Sequence, residues 1–128
     1  MKYQVYTAIS GEEAMEILKN KPINIIITDQ RMPNMTGVEF LEEVIKEHPD
    51  PMRILLTGYA DMSAVVDAVN RGKIFHYLAK PWNEEELDRT ITEAFSLYTE
   101  KQKIKAMNDK LALTNEQMEF LLRQKLLS

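Results

Sequence analysis

The sequence predicts an α/β fold in which a parallel sheet carries helices on both faces and a long helix follows at the C-terminal end. Up to about Tyr98, short β-branched or aromatic runs alternate with stretches whose apolar residues recur every three or four positions. One of these runs, Ile23–Thr28, is almost continuously apolar, as expected for an interior strand that is covered on both faces. Right-handed crossovers between such strands give an open, layered sheet.

Four segments have the composition of strands. Tyr3–Thr7 alternates between polar and apolar residues like a half-buried strand, and Ile23–Thr28 is the apolar run described above. Two further strands are predicted at Met52–Thr57 and Lys73–Leu78, because both runs are short and rich in aliphatic and aromatic residues.

Side-chain oxygens mark the points where helices begin. Ser10 and Asn83 each precede a Glu by three residues, the pattern of an N-cap that satisfies free backbone N–H groups. Between them we predict helices at about Gly37–Glu47 and Met62–Asn70, the second of them capped by Asp61. The residues predicted to face the core are Val38, Leu41, Val44, Ile45, Val65, Val66 and Val69.

Composition excludes several classes of site. With no Cys among 128 residues, the sequence provides no disulfides, thiolate zinc ligands or cysteine nucleophiles. A net charge of −4 gives no basic face for nucleic acid, so we expect no direct binding to DNA or RNA. No uncharged apolar run approaches the length that crosses a bilayer, and we expect a cytoplasmic protein that does not bind membranes.

The C-terminal part of the chain has a different character. The segment Thr99–Ser128 contains neither Gly nor Pro, and its apolar residues fall three, four or seven positions apart. We predict one nearly continuous helix with a possible break at Thr114, where Gln117 completes a capping pattern. Two interpretations stay open: a tail packed on its own domain, and a coiled-coil helix for dimerisation or signalling. The predicted domains are residues 1–98 and a helical extension over 99–128.

Three polar side chains are predicted to lie where strands end. Asp29 closes the first apolar strand, Thr57 closes the next, and Lys80 follows the last. In open α/β sheets, ligands bind at the carboxyl ends of the strands. Each residue alone is more simply explained as a turn or cap residue, but together they predict a carboxylate, a hydroxyl and an ammonium in one pocket.

Three motifs, in order and spacing, resemble the receiver domain of two-component response regulators over about Lys2–Tyr98. They are Asp29 followed by Met32, Pro33 and Gly37; the stretch Thr57-Gly58-Tyr59-Ala60; and the stretch Tyr77-Leu78-Ala79-Lys80-Pro81-Trp82. The resemblance implies a flavodoxin-like receiver fold with strand order 2-1-3-4-5, and a signalling module rather than an enzyme.

The resemblance also implies roles for individual residues. Asp29 matches the phosphoacceptor, Thr57 the hydroxyl that engages the phosphoryl oxygens, Lys80 the cation beside them, and Tyr77 the aromatic switch. The peptide bond between Lys80 and Pro81 matches one that is usually cis. The implied partner is a histidine kinase or phosphotransfer protein, and the conformational change would pass to the helical extension.

The chain departs from the family pattern at its start, because the first strand, its two adjacent acids and the first helix have no match. The resemblance implies that only two of the family's Mg²⁺ ligands are present here, the Asp29 carboxylate and the backbone carbonyl of Arg31. Mg²⁺ binding is therefore expected to be weak. An alternative function is therefore a phosphorylation-impaired dimerisation or scaffold module. A phosphatase is disfavoured, because Gln30 and Arg31 supply no second acid.

The missing strand is also expected to leave an unpaired apolar edge at Ile23–Thr28. Three coverings are conceivable: Tyr3–Thr7 pairs there, a second chain exchanges segments, or the terminal helix packs over the gap. We expect a homo-oligomer with a swapped or rearranged sheet, unless codons upstream of Met1 encode the missing elements.

Overall fold

The computed structural model describes residues 3–58 and 61–127. Within these ranges, three strands alternate with helices, and the last helix is much the longest at 44 residues. In chain order the elements are α1 (Gly11–Asn20), β1 (Ile25–Asp29), α2 (Gly37–Glu47), β2 (Met52–Thr57), α3 (Met62–Asn70), β3 (His76–Ala79) and α4 (Glu84–Leu127).

The sheet is parallel throughout and has the order β1-β2-β3. Asp29 at the end of β1 lies opposite Leu56, and Thr57 at the end of β2 lies opposite Ala79. The predicted α/β class with a parallel sheet and a long C-terminal helix is confirmed. Since all three strands run the same way, their carboxyl ends share one edge.

Two of the three predicted N-cap residues make the expected capping hydrogen bond. The Ser10 hydroxyl accepts a hydrogen bond from the Glu13 backbone N–H at 3.2 Å, and the Asn83 side-chain oxygen accepts one from Glu86 at 2.7 Å. The Asp61 cap was a wrong prediction, because its side chain makes no capping hydrogen bond to α3. Its carboxylate is instead paired with Arg31.

The core lies between β2 and the helices that pack on it. Leu41 and Val44 of α2, Leu55 of β2 and Val65 of α3 are fully buried. The prediction that Val66 faces inward is wrong, since this residue is 38% exposed. A helix turns by about 100° per residue, so Val66 lies on a different face of α3 from its buried neighbour Val65. The next buried residue on that face is Ala68, three positions after Val65.

The predicted strand Tyr3–Thr7 is absent from the sheet. Tyr3 stacks its ring on Phe95 with centroids 5.1 Å apart, and residues 4–10 are exposed. Within the described residues, β1 pairs with β2 alone, so pairing of Tyr3–Thr7 with the free edge of β1, one of the three alternatives, is not observed. The aromatic contact holds the start of this segment against α4 instead.

The last strand starts later than the sequence predicts. The predicted segment began at Lys73, but the backbone N–H of this residue donates to Ala68 and closes the end of α3. Gly72 adopts a positive φ of 74° in that turn, a conformation that suits glycine. The chain therefore leaves the helix through Lys73 before it enters β3 at His76.

The chain divides into two compact units between Phe95 and Ser96. The helix α4 begins in the first unit, where Thr90 and Ala94 are buried, and it continues without a break through the second. The predicted continuous helix is confirmed, and the possible break at Thr114 is not present. The Thr114 hydroxyl donates to the Lys110 carbonyl within the helix. None of the described helices is long and apolar enough to span a membrane.

Gly37 provides a test of how the first turn of α2 packs on β1. A Cβ atom at this position would overlap the carbonyl oxygen of Asp29 and the Cδ1 atom of Leu55. We expect Gly37→Ala to lower the free energy of unfolding by about 1–3 kcal/mol, as overpacking does. Urea unfolding measures the change. Gly58→Ala is the matched control, because an added Cβ there meets no atom within 4 Å, and an equal loss in both variants would contradict this account.

Candidate functional site

An ion pair joins the ends of β1 and β3. The Nζ atom of Lys80 lies 2.9 Å from Oδ1 and 2.8 Å from Oδ2 of Asp29, so one ammonium bridges both carboxylate oxygens. Each side chain is 42% exposed. The carboxylate therefore combines a fixed counter-charge with access from solvent.

Backbone hydrogen bonds place these two side chains next to each other. The Gln30 N–H donates to the Leu56 carbonyl at 2.9 Å, and the Lys80 N–H donates to the Thr57 carbonyl at 2.8 Å. The residues that follow β1 and β3 are thus both tied to the end of β2. The Lys80–Pro81 bond is cis, as the resemblance implied.

Thr57 lies at the same sheet edge but is fully buried. Its hydroxyl donates to the Gly58 carbonyl at 3.2 Å. Tyr77 on the neighbouring strand is half-buried and packs against the core cluster, opposite Leu55 in the β2–β3 register. The structure thus places the predicted hydroxyl and aromatic residues on adjacent strands, while their functional roles stay predictions.

Gln30 is a positioning residue that the sequence analysis missed. It is 4% exposed, and its side-chain oxygen accepts a hydrogen bond from the Val38 N–H at 3.0 Å. Its backbone carbonyl accepts a second bond, from Gly37 at 2.9 Å. Both bonds fix the start of α2 against the residue that follows Asp29. The available signal was a polar side chain directly after a strongly apolar strand.

A second ion pair lies between the loops that follow β1 and β2. The Nε atom of Arg31 lies 3.2 Å from an Asp61 carboxylate oxygen, with the two side chains 75% and 23% exposed. Arg31 also forms an isolated antiparallel bridge with Thr36. This pair connects the loop behind Asp29 to the start of α3, and its exposure makes it a weak contributor to stability.

The aromatic ring of Trp82 lies near the ammonium of the central ion pair. The Nζ atom of Lys80 is 6.0 Å from the centroid of this ring. Trp82 is the single tryptophan of the chain and is 36% exposed. Trp82 is therefore the fluorophore with which changes around Lys80 are tested below.

The described residues do not form a magnesium cage. Mg²⁺ prefers six oxygen ligands in octahedral geometry. Within residues 3–58 and 61–127, no three His, Cys, Asp or Glu side chains are grouped closely enough to hold a metal ion. Both oxygens of Asp29 are engaged by Lys80, and a role for the Arg31 carbonyl as a ligand stays a prediction.

Comparison with known proteins points to one family. The model of the response regulator receiver domain matches residues 1–92. The hydrogenase transcriptional regulatory protein HoxA of Cupriavidus necator is 40% identical over 93 residues, which cover 73% of this chain and 19% of that protein. The DNA-binding transcriptional regulator NtrC of Escherichia coli is 34% identical over 93 residues, which cover 73% of this chain and 20% of that protein.

A solved structure supports the same relationship. The crystal structure of a response regulator receiver domain protein from Clostridium thermocellum matches with a TM-score of 0.70 at 33% identity, covering 75% of this chain and 77% of that one. The chain spans about a fifth of the length of the curated relatives it matches.

The exposure of the central ion pair leads to a prediction about stability. We expect Lys80→Met to change the free energy of unfolding by less than about 1 kcal/mol, because half-exposed ion pairs contribute little. Urea unfolding measures this change, and Lys46→Met, which breaks the more exposed pair with Glu43, sets the baseline for a surface pair. A loss well above that baseline would mean that Lys80 mainly supports the fold.

Proposed function

Because the chain belongs to the response regulator receiver domain family, we propose that Asp29 is its phosphoacceptor and that Lys80 neutralises the incoming phosphoryl group. Receiver domains are signalling modules of two-component systems, phosphorylated by histidine kinases or phosphotransfer proteins. The observation that carries the proposal for this chain is the Asp29 carboxylate at the carboxyl edge of the sheet, accessible from solvent and bridged by the Lys80 ammonium.

Phosphoryl transfer to Asp29 needs a nucleophilic carboxylate and a positive charge that offsets the negative charge of the phosphoryl oxygens. A bond forms between an Asp29 carboxylate oxygen and phosphorus, while the bond from phosphorus to the donor's leaving atom breaks. The electron pair of the broken bond stays with that leaving atom, which is an imidazole nitrogen when the donor is a phosphohistidine. Lys80 keeps its protons and stabilises the phosphoryl oxygens electrostatically.

The partner we propose is a histidine kinase or a phosphotransfer protein that presents a phosphohistidine to this edge. Receiver domains generally bind Mg²⁺ through acidic residues. Because the described residues do not complete such a site, the role assigned to Lys80 rests on its own geometry, and no step here depends on the metal.

Thr57 and Tyr77 are proposed as the response elements. An acyl phosphate on Asp29 adds charge and acceptor oxygens at the edge of the sheet. The Thr57 hydroxyl, which now donates to the Gly58 carbonyl, would turn to these oxygens, and Tyr77 on the adjacent strand would repack. We assign residues 1–98 to the receiver domain and residues 99–128 to the helical extension that takes up the change.

Phosphorylation of Asp29 is tested by intact-mass spectrometry. The chain is incubated with acetyl phosphate, with and without Mg²⁺, and we expect the mass of one phosphoryl group to be added. Asp29→Asn should abolish the adduct because it removes the nucleophile. Asp61→Asn, which changes a nearby carboxylate already paired with Arg31, should keep it. An adduct that persists in Asp29→Asn, or no adduct in the unmodified chain under either condition, would refute the assignment.

Trp82 offers an optical test of the role of Lys80. If the ammonium turns from Asp29 toward a phosphoryl group, its distance from the Trp82 ring changes from the present 6.0 Å. Titration with beryllofluoride, a phosphoryl analogue, should therefore change the tryptophan emission in a saturable way. Asp29→Asn and Lys80→Met should each remove the change. An identical response in Lys80→Met would show that the emission does not report on this residue.

A further inference from the structure

The Gly58 carbonyl is a shared hydrogen-bond acceptor at the end of β2. It accepts one bond from the Thr57 hydroxyl at 3.2 Å and another from the Asp61 backbone N–H at 3.3 Å. A carbonyl oxygen has two lone pairs, so both bonds form at once. The orientation of this carbonyl therefore depends on Asp61, and the position of the Thr57 hydroxyl depends on the carbonyl.

Asp61 is in turn held by its ion pair with Arg31, which we call the inter-loop ion pair. The Nε atom of Arg31 lies 3.2 Å from Oδ2 of Asp61, and the Asp61 side chain is 23% exposed. The Arg31 backbone is fixed by the antiparallel bridge with Thr36, the N-cap residue of α2. The inter-loop ion pair thus connects an anchored loop after β1 to the residue that donates to the Gly58 carbonyl.

The Thr57 hydroxyl can donate to one acceptor at a time. A hydroxyl carries one proton, so it donates either to the Gly58 carbonyl, which is the resting arrangement, or to a phosphoryl oxygen on Asp29. Because Thr57 is fully buried, a hydroxyl without an acceptor would be costly there. A contact that holds the Gly58 carbonyl in place therefore favours the resting arrangement over the phosphoryl-bound one.

We propose that the inter-loop ion pair stabilises the resting arrangement of Thr57, so that Arg31 is a positioning residue that opposes the response to phosphorylation. The consequence at Asp29 rests on the proposed function, whereas the contacts between Arg31, Asp61 and Gly58 are independent of it. An exposed ion pair changes an equilibrium constant by about 2- to 5-fold. Such a factor biases the response without preventing it.

The contact itself is tested by amide hydrogen exchange, followed by NMR on the full chain without a phosphoryl analogue. Arg31→Gln removes the charge that holds Asp61, so we expect the Asp61 amide to exchange about 2- to 5-fold faster. Arg71→Gln is the matched control, because it breaks an exposed pair of similar geometry at the other end of α3, with Nε 3.1 Å from Oδ2 of Asp67. Unchanged exchange in Arg31→Gln, or equal acceleration in both variants, would overturn the proposal.

The consequence for the site is tested by a double-mutant cycle on beryllofluoride binding, measured by calorimetry in the presence of Mg²⁺. Arg31→Gln and Asp61→Asn each break the same pair, so their effects on the dissociation constant are coupled. The product of the constants for the unmodified chain and the double variant should exceed the product for the two single variants by about 2- to 5-fold. Separate effects of each charge on the anion cancel in this ratio, and a ratio of one would overturn the proposal.

The same cycle in a Thr57→Val background tests whether the coupling passes through the hydroxyl. This change removes the donor that the Gly58 carbonyl accepts, so the ratio should fall to one. A ratio that persists without the hydroxyl would overturn the proposed route. If the unmodified chain does not bind beryllofluoride, the proposed function and the regulatory role of Arg31 are both refuted, and the amide exchange decides separately whether the ion pair holds Asp61.

Discussion

Parallel pairing of three short strands is the constraint on which the rest of the molecule depends. Because β1, β2 and β3 run in one direction and in fixed register, residues far apart in sequence end at the same edge. Asp29 and Lys80 are 51 positions apart in the chain, yet their charged groups lie within 3 Å. A slip of one residue in either strand pair would turn alternate side chains to the other face of the sheet and separate these two charges.

The polar side chains at this edge differ in how deeply they are buried. Gln30 and Thr57 are buried, and each uses a hydrogen bond to a backbone group, which removes the cost of an unsatisfied polar atom. Asp29 and Lys80 stay half-exposed, so neither charge bears the full desolvation cost of burial. The buried neutral side chains therefore fix the backbone at this edge, while the charged pair stays accessible to reactants.

Local sequence patterns predicted those elements that their own composition or periodicity identifies. The bounds of α2, β2 and α3 follow from composition and from periodicity, and the observed bounds agree with those predicted. Pattern alone did not show that Asp61 pairs with Arg31, 30 residues away, rather than capping its own helix. The alternating pattern of Tyr3–Thr7 could not show whether this segment joins the sheet either. Such a segment forms a strand only when it pairs with the free edge of another strand.

The same distinction between local and distant partners explains the two parts of α4. In its first turns, Thr90 and Ala94 are buried by the unit from which the helix begins, so tertiary packing stabilises that part. Beyond Phe95, the described apolar side chains of the helix lie largely exposed, and the free energy available from burying them is not realised within one chain. An exposed apolar row of this length commonly marks an interaction surface. Because the chain beyond Phe95 contains neither Gly nor Pro, no residue interrupts the helix there, and its periodic apolar side chains remain on the surface.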